Sequence, residues 1–170
     1  YGGRMTLPIA DGPVPKHEQL RSLLESRIAA EFSPGDPLPG ERALEEEYGV
    51  SRITVRRAIG DGTRGWVDGP RELARFNEPQ GIATLPAHVR AEVGYDLVVA
   101  DTVNHRLRGV DLGSGSVRTL AGSGVQRLLD DARARGTDPN VITATDPTEV
   151  ALSSPWDLVW SDAADTLVGK

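Results

Sequence analysis

A chain of 170 residues is long enough for one ordinary domain or two small ones with a self-sustaining core. With no cysteine and three scattered histidines it has no means to build disulfide staples or a thiolate or clustered-histidine metal site, so neither metal nor cofactor is expected. The formal net charge of −6 excludes a protein that coats nucleic acid through a bulk positive field, and any contact with phosphate must come from a local cluster of bases.

No apolar run reaches the roughly 18 residues that span a bilayer, and Tyr1-Gly2-Gly3-Arg4 lacks the basic-then-apolar order of a secretory leader. A soluble cytoplasmic protein without a membrane partner is therefore expected. Residues 1–13 hold glycine and proline without a hydrophobic period and predict a flexible tail. From Pro15 the pattern changes. Leu20, Leu23, Leu24 and Ile28 fall on one face of a helix that runs to about Glu31, where Ser33-Pro34-Gly35-Asp36-Pro37 stops it. A second helix is predicted over Glu41–Tyr48, with Leu44 and Tyr48 on one side and Gly49 as a left-handed terminator. Ser51 then caps a third helix by accepting the free amide of Thr54, with Val55, Ala58 and Ile59 facing inward. Three short helices with a glycine-bearing turn between the last two make a helix-turn-helix. Residues 51–59 contain Arg52, Arg56 and Arg57 and no acid, whereas Glu45, Glu46 and Glu47 crowd the helix before.

After Ile59 helical periodicity disappears and glycine, aspartate, valine and threonine take over. Residues 95–100, 107–112 and 116–120 are β-prone runs separated by turn residues at the spacing of antiparallel strands. The fold class expected is α+β: a small three-helix unit over residues 14–62 and an incomplete antiparallel β-meander over residues 63–170. Residues 127–139 read as an insertion loop ahead of the apolar run from Trp156 to Trp160.

Pro15-Lys16-His17, Gln19-Leu20, Pro34-Gly35-Asp36, Leu38-Pro39-Gly40-Glu41-Arg42 and Gly49-Val50-Ser51-Arg52-Ile53-Thr54-Val55-Arg56, in that order and spacing, resemble the N-terminal domain of GntR-family repressors over residues 14–59. The resemblance implies a winged helix-turn-helix whose third helix enters the major groove, with Arg42, Ser51, Arg52, Thr54 and Arg56 at the family's DNA-contacting positions. It also implies double-stranded DNA as partner and a homodimer on a palindromic site; the effector stays unassigned. The chemistry agrees, because a guanidinium fork pairs with guanine O6 and N7, and small hydroxyls at a helix N-terminus suit phosphate. The alternative is a solvated basic face that balances residues 45–47. Two departures stand out. The family usually has serine where Gly40 stands, which makes a poorer cap. The family's wing is also missing, since Gly60-Asp61-Gly62 breaks the helix and no second wing strand follows Thr63-Arg64-Gly65-Trp66-Val67.

Residues 74–83, then 97–108, Val110-Asp111-Leu112 and residues 119–124, resemble an NHL repeat, a β-propeller blade, and Ser153-Ser154-Pro155-Trp156-Asp157-Leu158-Val159 resembles the opening of the next. Propellers close rings of typically 4 to 8 blades, and about one and a half are present here. Two resemblances of this kind imply a fusion of parts of unrelated proteins, joined between Ile59 and Pro70. His105 is expected to be structural, in a turn between strands with Asn104. Asp96, Asp101 and Asp111 are expected to be caps and loop residues, so no catalytic residue is assigned. The leading expectation is a sequence-specific DNA-binding regulator, not an enzyme; the alternative is an NHL-type protein-interaction scaffold that does not bind DNA.

Overall fold

The computed structural model describes residues 9–33, 36–127, 146–156, 158–161 and 166–169. Its elements in chain order are α1 (Lys16–Glu31), β1 (Pro37–Leu38), α2 (Glu41–Tyr48), α3 (Arg52–Ile59), β2 (Gly69–Pro70), β3 (Pro79–Thr84), α4 (Ala87–Val93), β4 (Leu97–Asp101), β5 (Arg106–Val110), β6 (Ser116–Ala121), β7 (Leu158–Ser161) and β8 (Thr166–Gly169). The α+β class is as the sequence predicts. The predicted insertion loop, apart from Arg127, lies outside the described residues, as do residues 1–8 of the predicted tail. Of the rest of that tail, Ile9 packs against the helical core, and the Gln19 side chain donates to the Ala10 carbonyl at 2.9 Å.

Each helix forms where local chemistry allows it. The Pro15 carbonyl accepts the amides of Glu18 and Gln19 to open α1. Gly49, at φ 62°, ends α2 in the left-handed conformation that glycine adopts without penalty. Ser51 caps α3, its hydroxyl accepting the Thr54 amide at 3.3 Å, and extended Gly60 ends the helix one residue after Ile59. Leu20, Leu44, Val50, Val55 and Ala58 form the buried core of the three helices. Fully burying a leucine contributes about 1.5–3 kcal/mol, so this cluster outweighs the weak propensity of two eight-residue helices.

The sheet is antiparallel throughout, in the order β1-β3-β4-β5-β6-β2, with β7 and β8 paired separately. The β4 to β6 meander is the predicted one; β3 was not among the predicted strands, and the β3–β4 connection contains α4, a helix the sequence reading did not anticipate. It starts behind Pro86 and stops at left-handed Gly94, too short to show a period.

A buried arginine organises the sheet's first layer. Arg108 is wholly enclosed and donates to Asp101 at 2.9 Å, to Asp68 at 2.7 Å, and to the carbonyls of Arg75 and Val67. Asp101 also accepts the Asn77 amide and the Asn104 side chain. Burial pushes the Asp101 carboxyl above its usual range, against the pull of Asn104, the Asn77 amide and Arg108. Asp101 is thus an interior ion-pair partner, whereas Asp111 is a turn cap that accepts the amides of Gly113 and Ser114. His105 sits in the expected turn, at φ 50° after the 3-10 turn Thr102–Asn104, with Nδ1 at 3.2 Å from the Ser154 hydroxyl.

The helices and the sheet share packing. β1 pairs with the edge of β3, Pro37 opposite Ala83 and Leu38 opposite Ile82. Ile28, Leu38 and Ile59 pack against the cluster of Ala74, Phe76, Ile82, Leu97, Val99, Val110 and Val117. At Gly40 the approach is closest, since a Cβ there would lie 1.9 Å from the Gln80 carbonyl oxygen. The serine usual at this cap in GntR repressors has no room beside β3. Gly40→Ser is therefore expected to destabilise the chain by about 1–3 kcal/mol in urea unfolding, as overpacking does. A gain of about a few tenths of a kcal/mol, the ordinary benefit of serine at a cap, would show that this contact is absent.

Candidate nucleic-acid interface

α3 is held from two sides by charge-assisted bonds. From α1, Arg21 donates through Nε to the Ala58 carbonyl at 2.9 Å and through Nη2 to the Arg57 carbonyl at 3.0 Å, covering acceptors that the end of a helix leaves unpaired. Burial, helped by the neighbouring Arg71 charge, pulls the Arg21 pKa below the usual arginine value. From α2, Glu41 accepts Arg56 Nε at 3.1 Å, with the two side chains only 3% and 5% exposed. Fixed in this way, α3 has its N-terminus and Ser51 at the surface.

The five residues expected to form the contact set do not all face one way. Arg42, on the first turn of α2, is 78% exposed and paired loosely with Glu46 one turn on. Ser51 is exposed, and its hydroxyl lies 3.0 Å from that of half-buried Thr54. Arg52 begins α3, and its side chain lies outside the described residues. Arg56 corrects the expectation of an outward contact, because Glu41 holds its guanidinium inside the fold.

Arg21 and Ile53, which the sequence reading did not single out, and Arg57, noted there only as part of the acid-free run, shape the same surface. Arg21 grips the C-terminal end of α3, Ile53 is 54% exposed, and Arg57 is exposed one turn beyond Ile53. Ile53 was detectable as an apolar residue out of phase with the inward Val55 and Ala58.

Removing one member of the Glu41–Arg56 pair leaves a charge in the interior. Glu41→Ala is expected to lose about 3–5 kcal/mol of unfolding free energy, whereas Arg42→Ala, an exposed residue, stays within about 0.5 kcal/mol of the parent. Equal losses for the two variants in denaturant titrations would contradict this division of roles.

Comparison with known proteins divides along the chain. Residues 16–63 match the model of the family described as bacterial regulatory proteins, gntR family. The mannosyl-D-glycerate transport/metabolism system repressor MngR of Escherichia coli is 34% identical over 98 residues, which cover 56% of this chain and 36% of that protein. The HTH-type transcriptional repressor NagR of Bacillus subtilis is 42% identical over 48 residues, 28% of this chain and 20% of the repressor. NHL repeat-containing protein 2 of Gallus gallus is 34% identical over 131 residues, 73% of this chain but 15% of that protein. The chain thus spans between about a seventh and a third of the length of these relatives. Residues 16–63 thus match the gntR family model, and the chain is also similar to NHL repeat-containing proteins.

Proposed function

We propose that the chain binds double-stranded DNA sequence-specifically and acts as a transcriptional repressor, with α3 in the major groove. Arg42, Ser51, Arg52 and Thr54 are the contact residues. The guanidinium groups of Arg42 and Arg52 address guanine edges or phosphate, and the two hydroxyls with the free amides at the start of α3 address phosphate oxygens. Arg56, expected as a fifth contact, serves on this reading as a positioning residue through Glu41. Residues 14–62 are the DNA-binding unit and residues 63–170 an incomplete strand-rich unit, with residues 1–13 as a tail. The chain acts as a homodimer on a palindromic site in the bacterial cytoplasm, and it catalyses no reaction.

The observation that carries this reading is the gntR match over residues 16–63, lying on a helix whose first turn is acid-free and hydroxyl-capped at the surface. Two of the relatives are repressors by name. Overall negative charge is no obstacle, because Glu41 and Glu46 are already paired with Arg56 and Arg42.

One observation favours a second reading, in which the strand-rich part is a protein-interaction scaffold. The likeness to the Gallus gallus protein covers most of the chain, and Leu85, Val89, Val93, Val98, Leu107 and Leu120 line a wholly apolar hollow of about 260 Å³. Salt separates the two readings. In fluorescence anisotropy with a duplex selected from a random-sequence pool, DNA binding gives association that weakens steeply as salt rises and exceeds binding to a scrambled duplex. Arg52→Ala is expected to lose about 1–3 kcal/mol on the selected duplex with its circular dichroism spectrum unchanged. No enrichment from the pool, or association indifferent to salt, would leave the scaffold reading standing.

A further inference from the structure

The family's wing has no counterpart on this chain's β1. The edge that β1 offers is taken by β3, and residues 64–67 meet residues 75–76 only through single bridges, Arg64 with Phe76 and Val67 with Arg75. In this stretch the chain instead folds back beside α3. A groove of about 480 Å³ opens there, lined by Ile53, Arg56, Arg57, Gly62, Thr63 and Arg64.

The charges around this groove are unevenly matched. Arg56 in its wall is neutralised by Glu41. Asp61, the nearest acid in sequence, is occupied by Arg75 at 2.7 Å and by the Thr63 amide at 2.6 Å. Arg64 is 60% exposed and meets Glu78 at 3.2 Å, a surface pair of the kind that holds weakly and can exchange its anion. Arg57 is exposed and, among the described residues, has no carboxylate partner; its aliphatic stem lies along left-handed Gly62, where a Cβ would come within 2.4 Å of it. Two guanidinium groups and the exposed Thr63 hydroxyl therefore flank one open groove. It continues the edge of α3 that Ile53 begins, and α3 itself is only about 12 Å long.

We infer that this groove, with Arg57 and Arg64 as its charges and Thr63 as its hydroxyl, is a second phosphate-binding site for the duplex that α3 engages, supplying backbone contact in place of a wing. The inference rests on the DNA-binding reading above. A site of this kind recognises the sugar-phosphate strand and not the bases, so it adds affinity on every sequence equally and contributes to the salt dependence.

The test uses the full chain and a fluorescein-labelled duplex of mixed sequence, titrated by anisotropy at several chloride concentrations. Arg57→Ala and Arg64→Ala are each expected to weaken binding by the same factor on mixed and selected duplexes and to flatten the slope of log K against log salt by about 0.9. Arg57→Lys keeps the charge and is expected to keep the slope, and Arg90→Ala, on α4 and paired with Asp96, to bind as the parent does. Parental slopes in Arg57→Ala and Arg64→Ala, with Arg42→Ala still reducing the slope, would overturn the groove and leave α3 as the contact. Absence of any salt-dependent association by the parent chain would overturn both readings.

Discussion

The orientation of α3 rests on a buried ion pair. Glu41 opens α2 and Arg56 sits in the last turn of α3, and their 3.1 Å contact ties the two helices where almost no water reaches. Burying two charges costs several kcal/mol apiece, and the cost is recovered only while the partners stay aligned, so the pair contributes more to a fixed crossing of the helices than to net stability. Arg21 completes the hold by covering the last carbonyls of α3 from α1. Both grips fall toward the C-terminal end of the helix. Its N-terminal end, with Ser51 and Thr54, is left to the surface.

A second constraint joins the helices to the sheet. The pairing of β1 with β3, the close approach of Gly40 to Gln80, and the packing of Ile28, Leu38 and Ile59 on the sheet's main cluster give the two kinds of structure a common interior. Within the sheet, Arg108 draws Asp68, Asp101 and the carbonyls of Val67 and Arg75 together, which orders the segment leading from α3 into β3. Helices thus cover part of the sheet, and Trp66 lies half exposed beneath the Arg106 guanidinium.

Much of this was legible in the sequence because local chemistry decided it. Gly49, Ser51 and Gly60 punctuate the helices whatever surrounds them, and the alternation of β-prone runs with Asp, Asn and Gly turns gave the meander. What was hidden depends on contacts between distant residues. Gly40 read as a poor cap and proves to be a matter of space beside a strand about forty residues later in the chain. Arg56 read as an outward base because it follows Arg52 by one turn in an acid-free run, and only the meeting of α2 with α3 turns it in. Asp101 was grouped with the turn aspartates, and only the pairing of β4 with β5 brings Arg108 of the neighbouring strand to it. α4 is a single short helix between Pro86 and Gly94, below the length at which a hydrophobic period can be read.

The account as a whole stands on α3 being the face that meets DNA. Hydrogen–deuterium exchange of the full chain with and without a duplex selected from a random pool addresses this directly. The account predicts added protection of backbone amides over residues 40–46 and 51–57, with β4 and β5 unchanged. Protection confined to the sheet, or none in α2 and α3 while the duplex is bound, would contradict it.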